Sequence, residues 1–237
     1  MKRTVLVVLL GSIVALGRAD PAAAQSSASA TAGESGATGG VARFQADRDY
    51  QVLAPAQPTV GDPVRGKVEV AEVFMYSCPH CAAFEPLLQA WLKKAPGYVS
   101  FVRVPAIWGA VPELHARAYY TAEALGKTAE IDGPFFDEIH AKHNLLGPGG
   151  DEIVDGLAAL FARFGVDDKT FRNTFYSFAI DGKVSRATDL VKRYKVPGTP
   201  AVIINGKYLT NGAMAGRYDT WFAIIDELVA KEHAAAQ

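Results

Sequence analysis

The stretch that most restricts how this chain can fold is the run Val68 to Tyr76, taken with the Cys-Pro-His-Cys segment just after it. Val68, Val70, Glu72, Phe74 and Tyr76 fall on one face of an extended strand, and Glu69, Ala71, Val73 and Met75 on the other. Both faces are mostly apolar, so the pattern predicts a central strand covered on both sides. Glu69, near the strand start, is expected to be solvated. Glu72, mid-strand among apolar neighbours, is expected to be buried. Immediately after the strand comes Cys78-Pro79-His80-Cys81, and then an apolar stripe at helical spacing: Phe84, Leu87, Leu88, Trp91, Leu92. Cys78 is placed at the N-cap and Pro79 at the first helical position, where a missing N–H costs nothing. Pro86 removes the bond to the Ala82 carbonyl, which predicts a kink.

The rest of the chain fits around that unit. Met1-Lys2-Arg3, the apolar Thr4 to Gly17 and Ala22-Ala23-Ala24 before Gln25 read as a secretory signal peptide (1–24) cleaved after Ala24, rather than an uncleaved anchor. No cysteine adjoins the site, which argues against a lipoprotein. Residues 25–44 form a Ser/Ala/Gly-rich tether without enough apolar surface to offset ordering. Tyr50 to Leu53 is a short first strand, and Tyr98 to Val104 a second buried strand in a right-handed β-α-β unit.

From about Pro112 to Tyr194 the period turns helical. Segments are expected through Leu114–Leu125, around Phe135–His143, through Ile153–Phe164 after an Asp151 cap, through Phe175 after an Asp167 cap, and from Val184 to Tyr194 after an Asp181-Gly182 turn. His140 and His143 would share a face and are read as solvated. Val196-Pro197-Gly198-Thr199-Pro200 then leads into Ala201–Ile204, an Asn205-Gly206 hairpin turn, Lys207–Leu209 and a closing helix through Trp221, Ile225 and Val229. The order is β-α-β, a helical block, then β-β-α. It predicts an α/β thioredoxin fold with a central mixed sheet. Residues 45–108 and 195–233 form its two parts, interrupted by an all-helical insertion domain at 109–194.

Cys78 and Cys81 are the only cysteines. Such a pair can be a redox couple, half a metal site or a staple. A staple this short closes too small a loop to stabilise much. Structural zinc usually wants four ligands, and neither a second C-x-x-C nor an H-x₃₋₅-H is present. The strand, the N1 proline and the secretory leader favour redox chemistry in a compartment where disulfides persist. The helix dipole stabilises a Cys78 thiolate by at most ~2 kcal/mol, roughly one and a half pKa units. First-turn N–H groups and a donor from His80 add to it. A stabilised thiolate favours the dithiol and makes the disulfide oxidising. Cys78 is therefore expected to be the exposed, attacked sulfur and Cys81 the buried resolving one. Glu72 would sit beneath them with a raised pKa and relay the Cys81 proton. Thr199-Pro200 suggests a special loop geometry, with an ordinary trans turn as the alternative. A formal net charge of −1 gives no basic field for nucleic acid.

Together these residues resemble the DsbA-type periplasmic thiol:disulfide oxidoreductases over about residues 45–232. Cys78-Pro79-His80-Cys81 matches the family's active site, and Glu72 and Glu85 match its acids. Val196 to Ala201 matches its cis-proline loop, with Pro200 the cis residue, and Arg103 stands at a family basic position. The tether and the threonine before Pro200 depart from the best-known members. The resemblance implies a monomeric periplasmic enzyme that needs no cofactor and no metal. It would donate its disulfide to reduced exported proteins and be reoxidised by a membrane quinone reductase of the DsbB type. A reductase or isomerase on the same fold is the nearest alternative, although nothing here resembles a dimerisation module. A thioredoxin-fold peptide-binding holdase is another.

Overall fold

The computed structural model describes residues 43–237. The expected signal peptide and most of the tether lie outside them. In chain order the elements are β1 (Gln51–Val52), β2 (Val68–Phe74), α1 (Pro79–Leu92), β3 (Val99–Pro105), α2 (Ala110–Ala124), α3 (Thr128–His140), α4 (Gly150–Ala162), α5 (Asp168–Phe175), α6 (Phe178–Arg193), β4 (Ala201–Ile204), β5 (Tyr208–Asn211), α7 (Gly212–Ala215) and α8 (Tyr218–Ala235). The strands form one mixed sheet in the order β1-β5-β4-β2-β3. β2 lies at its interior, parallel to β3 and antiparallel to β4.

Every residue of β2 is buried, as a strand with two apolar faces requires. Val68 and Val70 pack with Phe84, Leu88, Trp221 and Ile225, so α1 and α8 cover one face. The Phe84 ring stacks on Trp221 with centroids 4.4 Å apart. Ala71 and Val73 pack into a second cluster with Leu190, Val191 and Tyr194 of the helical segment, whose own centre is Phe135, Phe161, Phe171 and Phe175. The fold is thus a thioredoxin fold with a helical insertion between β3 and β4.

Asn205 and Gly206 take φ of 48° and 63° and reverse the chain between β4 and β5. A side chain at 206 would also strike the Gln57 carbonyl, 2.0 Å from an added Cβ. Asp167 caps α5 as expected, accepting from the Thr170 N–H.

Four local expectations are corrected. Asp181 and Gly182 lie inside α6, which starts at Phe178 rather than Val184, because the Ser177 side chain caps it at the Ile180 N–H. Asp151 is in the first turn of α4 and does not cap it; Gly149 holds the N-cap position. His143 falls beyond the end of α3 with φ 53°, so it shares no helix face with His140. Glu69 is buried rather than solvated, because the loop before β2 folds back and donates the N–H groups of Val60 and Gly61 to its carboxylate at 2.8 and 2.9 Å.

Candidate active site

β2 delivers the chain to the sheet's end, and α1 starts there with Cys78 at its N-cap and Pro79 at N1. The Cys78 carbonyl accepts the N–H groups of Cys81 and Ala82, each at 3.1 Å, which locks the first turn. The His80 and Cys81 N–H groups of that turn also lie toward the Cys78 sulfur. Its thiol is drawn down to about 5, chiefly by the Cys81 thiol donating to it; the Thr199 side chain and the Cys81 and His80 backbone N–H groups add to this against the cost of burial. His80 therefore faces the sulfur through its backbone. Its exposed side chain lines a groove of about 560 Å³.

Cys78 is less exposed than expected. It keeps 8% of its surface, against none for Cys81, because the loop before β4 closes over it: the Thr199 carbonyl oxygen lies 3.3 Å from Sγ. The Thr199–Pro200 peptide is cis. The same loop forms one wall of the groove. The groove is also lined by Asn211 to Ala213, Gly216 to Tyr218 and Trp221.

The other side of the motif faces inward. Burial, and then donation to Cys78, push the Cys81 thiol far above the ordinary thiol range. Glu72 contributes to that shift through its charge. Glu72 is 1% exposed, and Arg103, its register partner on β3, donates Nε to its carboxylate at 2.8 Å. The same guanidinium donates to Asp132 of α3 at 2.7 Å and pairs with Glu85 of α1. Asp132 accepts a second bond, at 2.5 Å, from the Tyr76 hydroxyl. One cation therefore serves three carboxyls, none of which has more than 13% of its side chain exposed. Burial, helped by the charges of Glu85 and Asp132 and opposed by Arg103, raises Glu72 to about 7. Burial also raises Asp132, against the pull of Arg103.

The structure thus brings Cys78, Pro79, His80, Cys81, Thr199 and Pro200 to one end of the sheet, with Glu72 beneath them. It also supplies two groups that sequence reasoning missed, Tyr76 and Asp132. Neither carries a motif: Tyr76 reads as a core aromatic, and Asp132 as one acid among several on an insertion helix. His140, expected to be solvated, is half-buried and bonds the Tyr76 carbonyl through Nε2 at 2.7 Å, fixing the backbone that enters the motif. Among the described residues no group of histidines, cysteines and carboxylates is arranged to hold a metal ion.

The chain is similar to known proteins along most of its length. A family profile described as Thioredoxin matches residues 54–227. The thiol:disulfide interchange protein DsbA of Pseudomonas aeruginosa is 38% identical over 194 residues, covering 82% of this chain and 88% of its own. DsbA of Burkholderia cepacia is 36% identical, covering 77% and 82%. The crystal structure of P. aeruginosa DsbA superposes with a TM-score of 0.74 at 36% identity over 81% of this chain and 96% of its own. DsbA from Xylella fastidiosa gives 0.71 at 33% over 78% and 96%. With a buried cysteine pair at a helix start, a proline loop against it and these relatives along most of its length, the chain belongs to the DsbA family of thiol:disulfide interchange proteins and is a protein disulfide oxidoreductase.

Proposed function

We propose that the protein oxidises reduced exported proteins by giving up a Cys78–Cys81 disulfide. A substrate thiolate attacks Cys78 Sγ, the Cys78–Cys81 bond breaks, and a mixed disulfide forms at Cys78. The leaving Cys81 sulfur takes a proton from Glu72. A second substrate thiolate then attacks the substrate sulfur of the mixed disulfide. The substrate disulfide forms and Cys78 departs as a thiolate, leaving the enzyme reduced by two electrons. The observation that carries this reading is the asymmetry of the pair. Cys78 lies at the start of α1 with its thiol drawn down to about 5, which makes it a fast leaving group, while Cys81 is fully buried with its thiol pushed up by that burial.

Pro79 supports the role of Cys78 by fixing the start of α1. His80 contributes a backbone donor, and its side chain joins Thr199 and Pro200 on the groove beside Cys78, where an extended substrate segment would lie. Reoxidation reverses the chemistry. Cys78 attacks a disulfide of a membrane quinone reductase of the DsbB type, and Cys81, losing its proton to Glu72, attacks Cys78 and releases the partner. The cysteine pair needs no cofactor. The reading places the mature protein in the periplasm as a monomer, with residues 1–24 as its signal peptide. Residues 109–194 act as an insertion domain that closes the inner face of the motif.

Refolding of a reduced, disulfide-containing secreted protein tests this reading. The wild type should restore its activity, Cys78→Ser should not, and Cys81→Ser should accumulate mixed disulfides through Cys78. An equilibrium with glutathione matching that of thioredoxin would overturn the oxidase direction.

A further inference from the structure

Arg103 is placed as though it served Glu72, yet its geometry divides it. Nε goes to Glu72 at 2.8 Å, one terminal nitrogen to Asp132 at 2.7 Å and the other to Glu85. With all three carboxyls ionised the cluster would carry a net charge of −2 in a site where Arg103 itself has 5% of its side chain exposed. Like charges held this close do not all ionise together. The cluster must keep a proton near neutrality, and the relative hold on each carboxyl decides which one keeps it. Asp132 has two donors for its charged form, Arg103 and the Tyr76 hydroxyl. Glu72 has Arg103 alone and is the deepest of the three.

We propose that Asp132, carried on the helical insertion, is a positioning residue for disulfide exchange: by taking one arm of Arg103 it leaves Glu72 with an incomplete counter-charge, so that Glu72 holds and exchanges the proton needed by Cys81. This rests on the relay role of Glu72 proposed above. The titratable and charged groups that bear on Glu72 come from three elements: Arg103 on β3, Cys81 and Glu85 on α1, and Asp132 on α3, behind which stand Tyr76, just past the end of β2, and Tyr119 of α2. On β4 its register partner is the apolar Val202. Asp132 is the carboxyl of this set that comes from an insertion helix. It also lines, with Glu85 and Arg103, a second cleft of about 580 Å³ on the side away from Thr199. Glu72 does not line that cleft, so Glu85, Arg103 and Asp132 stand between it and the opening.

Replacing Asp132 by a neutral group removes a like charge and returns Arg103 to Glu72. Both changes favour the Glu72 carboxylate, so its titration should move to lower pH by about one unit. The experiment is ¹³C NMR of the side-chain carboxyl of Glu72, assigned with Glu72→Gln, in reduced wild type, Asp132→Asn and Asp132→Glu. It is paired with the pH profile for oxidation of a reduced fluorescent peptide. Asp132→Asn should lower the Glu72 midpoint and shift the Glu72-dependent limb of the rate profile with it, and Asp132→Glu should restore both. An unmoved Glu72 midpoint, with only a lower melting temperature, would make Asp132 a structural pin and overturn the inference. If the asparagine variant does not fold, Asp132→Ser, smaller and also neutral, carries the same prediction. Should Glu72→Gln leave the rate profile unchanged while Asp132→Asn still moves the Glu72 resonance, the relay reading fails and the electrostatic coupling stands.

Discussion

On the groove side of the motif, the Cys78 sulfur meets the Thr199 carbonyl oxygen and a set of neutral donors that outweighs it: the Cys81 thiol, the Thr199 side chain and two backbone N–H groups. On the inner side, Cys81 is met by burial and by a carboxyl with two further acids behind it. Dipoles fixed by a helix start and a loop stabilise an anion without bringing a compensating charge of their own, so the gain survives whatever the local proton count. Charges do the reverse. Arg103 is needed to make two buried acids and the half-buried Glu85 tolerable, and because it is shared, each acid's hold on its proton depends on the other two. The first region sets a nearly constant thiolate, and the second a proton store that responds to its neighbours.

The largest test of this contrast is Arg103→Met. Removing the one cation leaves two buried carboxyls and the half-buried Glu85 facing each other. This should cost about 3–5 kcal/mol in urea unfolding near neutral pH, with much of the loss recovered at low pH where the acids are protonated. A stability unchanged between pH 4 and pH 8 would show that the cluster is not the strained half.

The next effect is the pH dependence of the reduced form. Folding lowers the Cys78 thiol from 9.0 to about 5. Its contribution to the stability of the reduced protein is therefore full above pH 9, declines as pH falls, and is gone below about pH 5. The oxidised protein, with no thiol at 78, lacks this contribution. The difference in unfolding free energy between reduced and oxidised forms should shift toward the reduced form as pH is raised from 5 to 9. The ultraviolet absorbance of the thiolate should titrate with a midpoint near 5.

The smallest change sharpens the same point. Thr199→Val removes one neutral donor among several and should raise the Cys78 midpoint by roughly half a unit to one unit while leaving the Glu72 titration in place. A shift in Glu72 of equal size would show that the two sides are not independent.

The elements at the motif were legible because their signals are local. The alternation from Val68 to Tyr76, the proline at N1 and the Asn205-Gly206 turn each act within a few residues, and the corresponding strand, helix and hairpin are present. Glu72 could be placed in the interior because its strand neighbours are apolar. The same logic failed for Glu69, whose burial depends on backbone N–H groups of a loop eight and nine residues earlier. It failed at Asp181-Gly182, where a turn signal was outweighed by the Ser177 cap one helical turn before. Asp132 had no signal at all: its partners Arg103 and Tyr76 are 29 and 56 residues away.

By itself the sequence determined where the strands and helices of the motif begin, that two sulfur atoms stand one helical turn apart, and that an acid lies under them. Periodicity and capping act over a few residues, so they can be read in line. Only the tertiary structure decided how the charge of Arg103 is divided, which loop closes on Cys78 and which insertion helix brings a carboxyl to Arg103. Those outcomes depend on distances between groups far apart in the chain, and electrostatic energies in a dry interior are set by such distances.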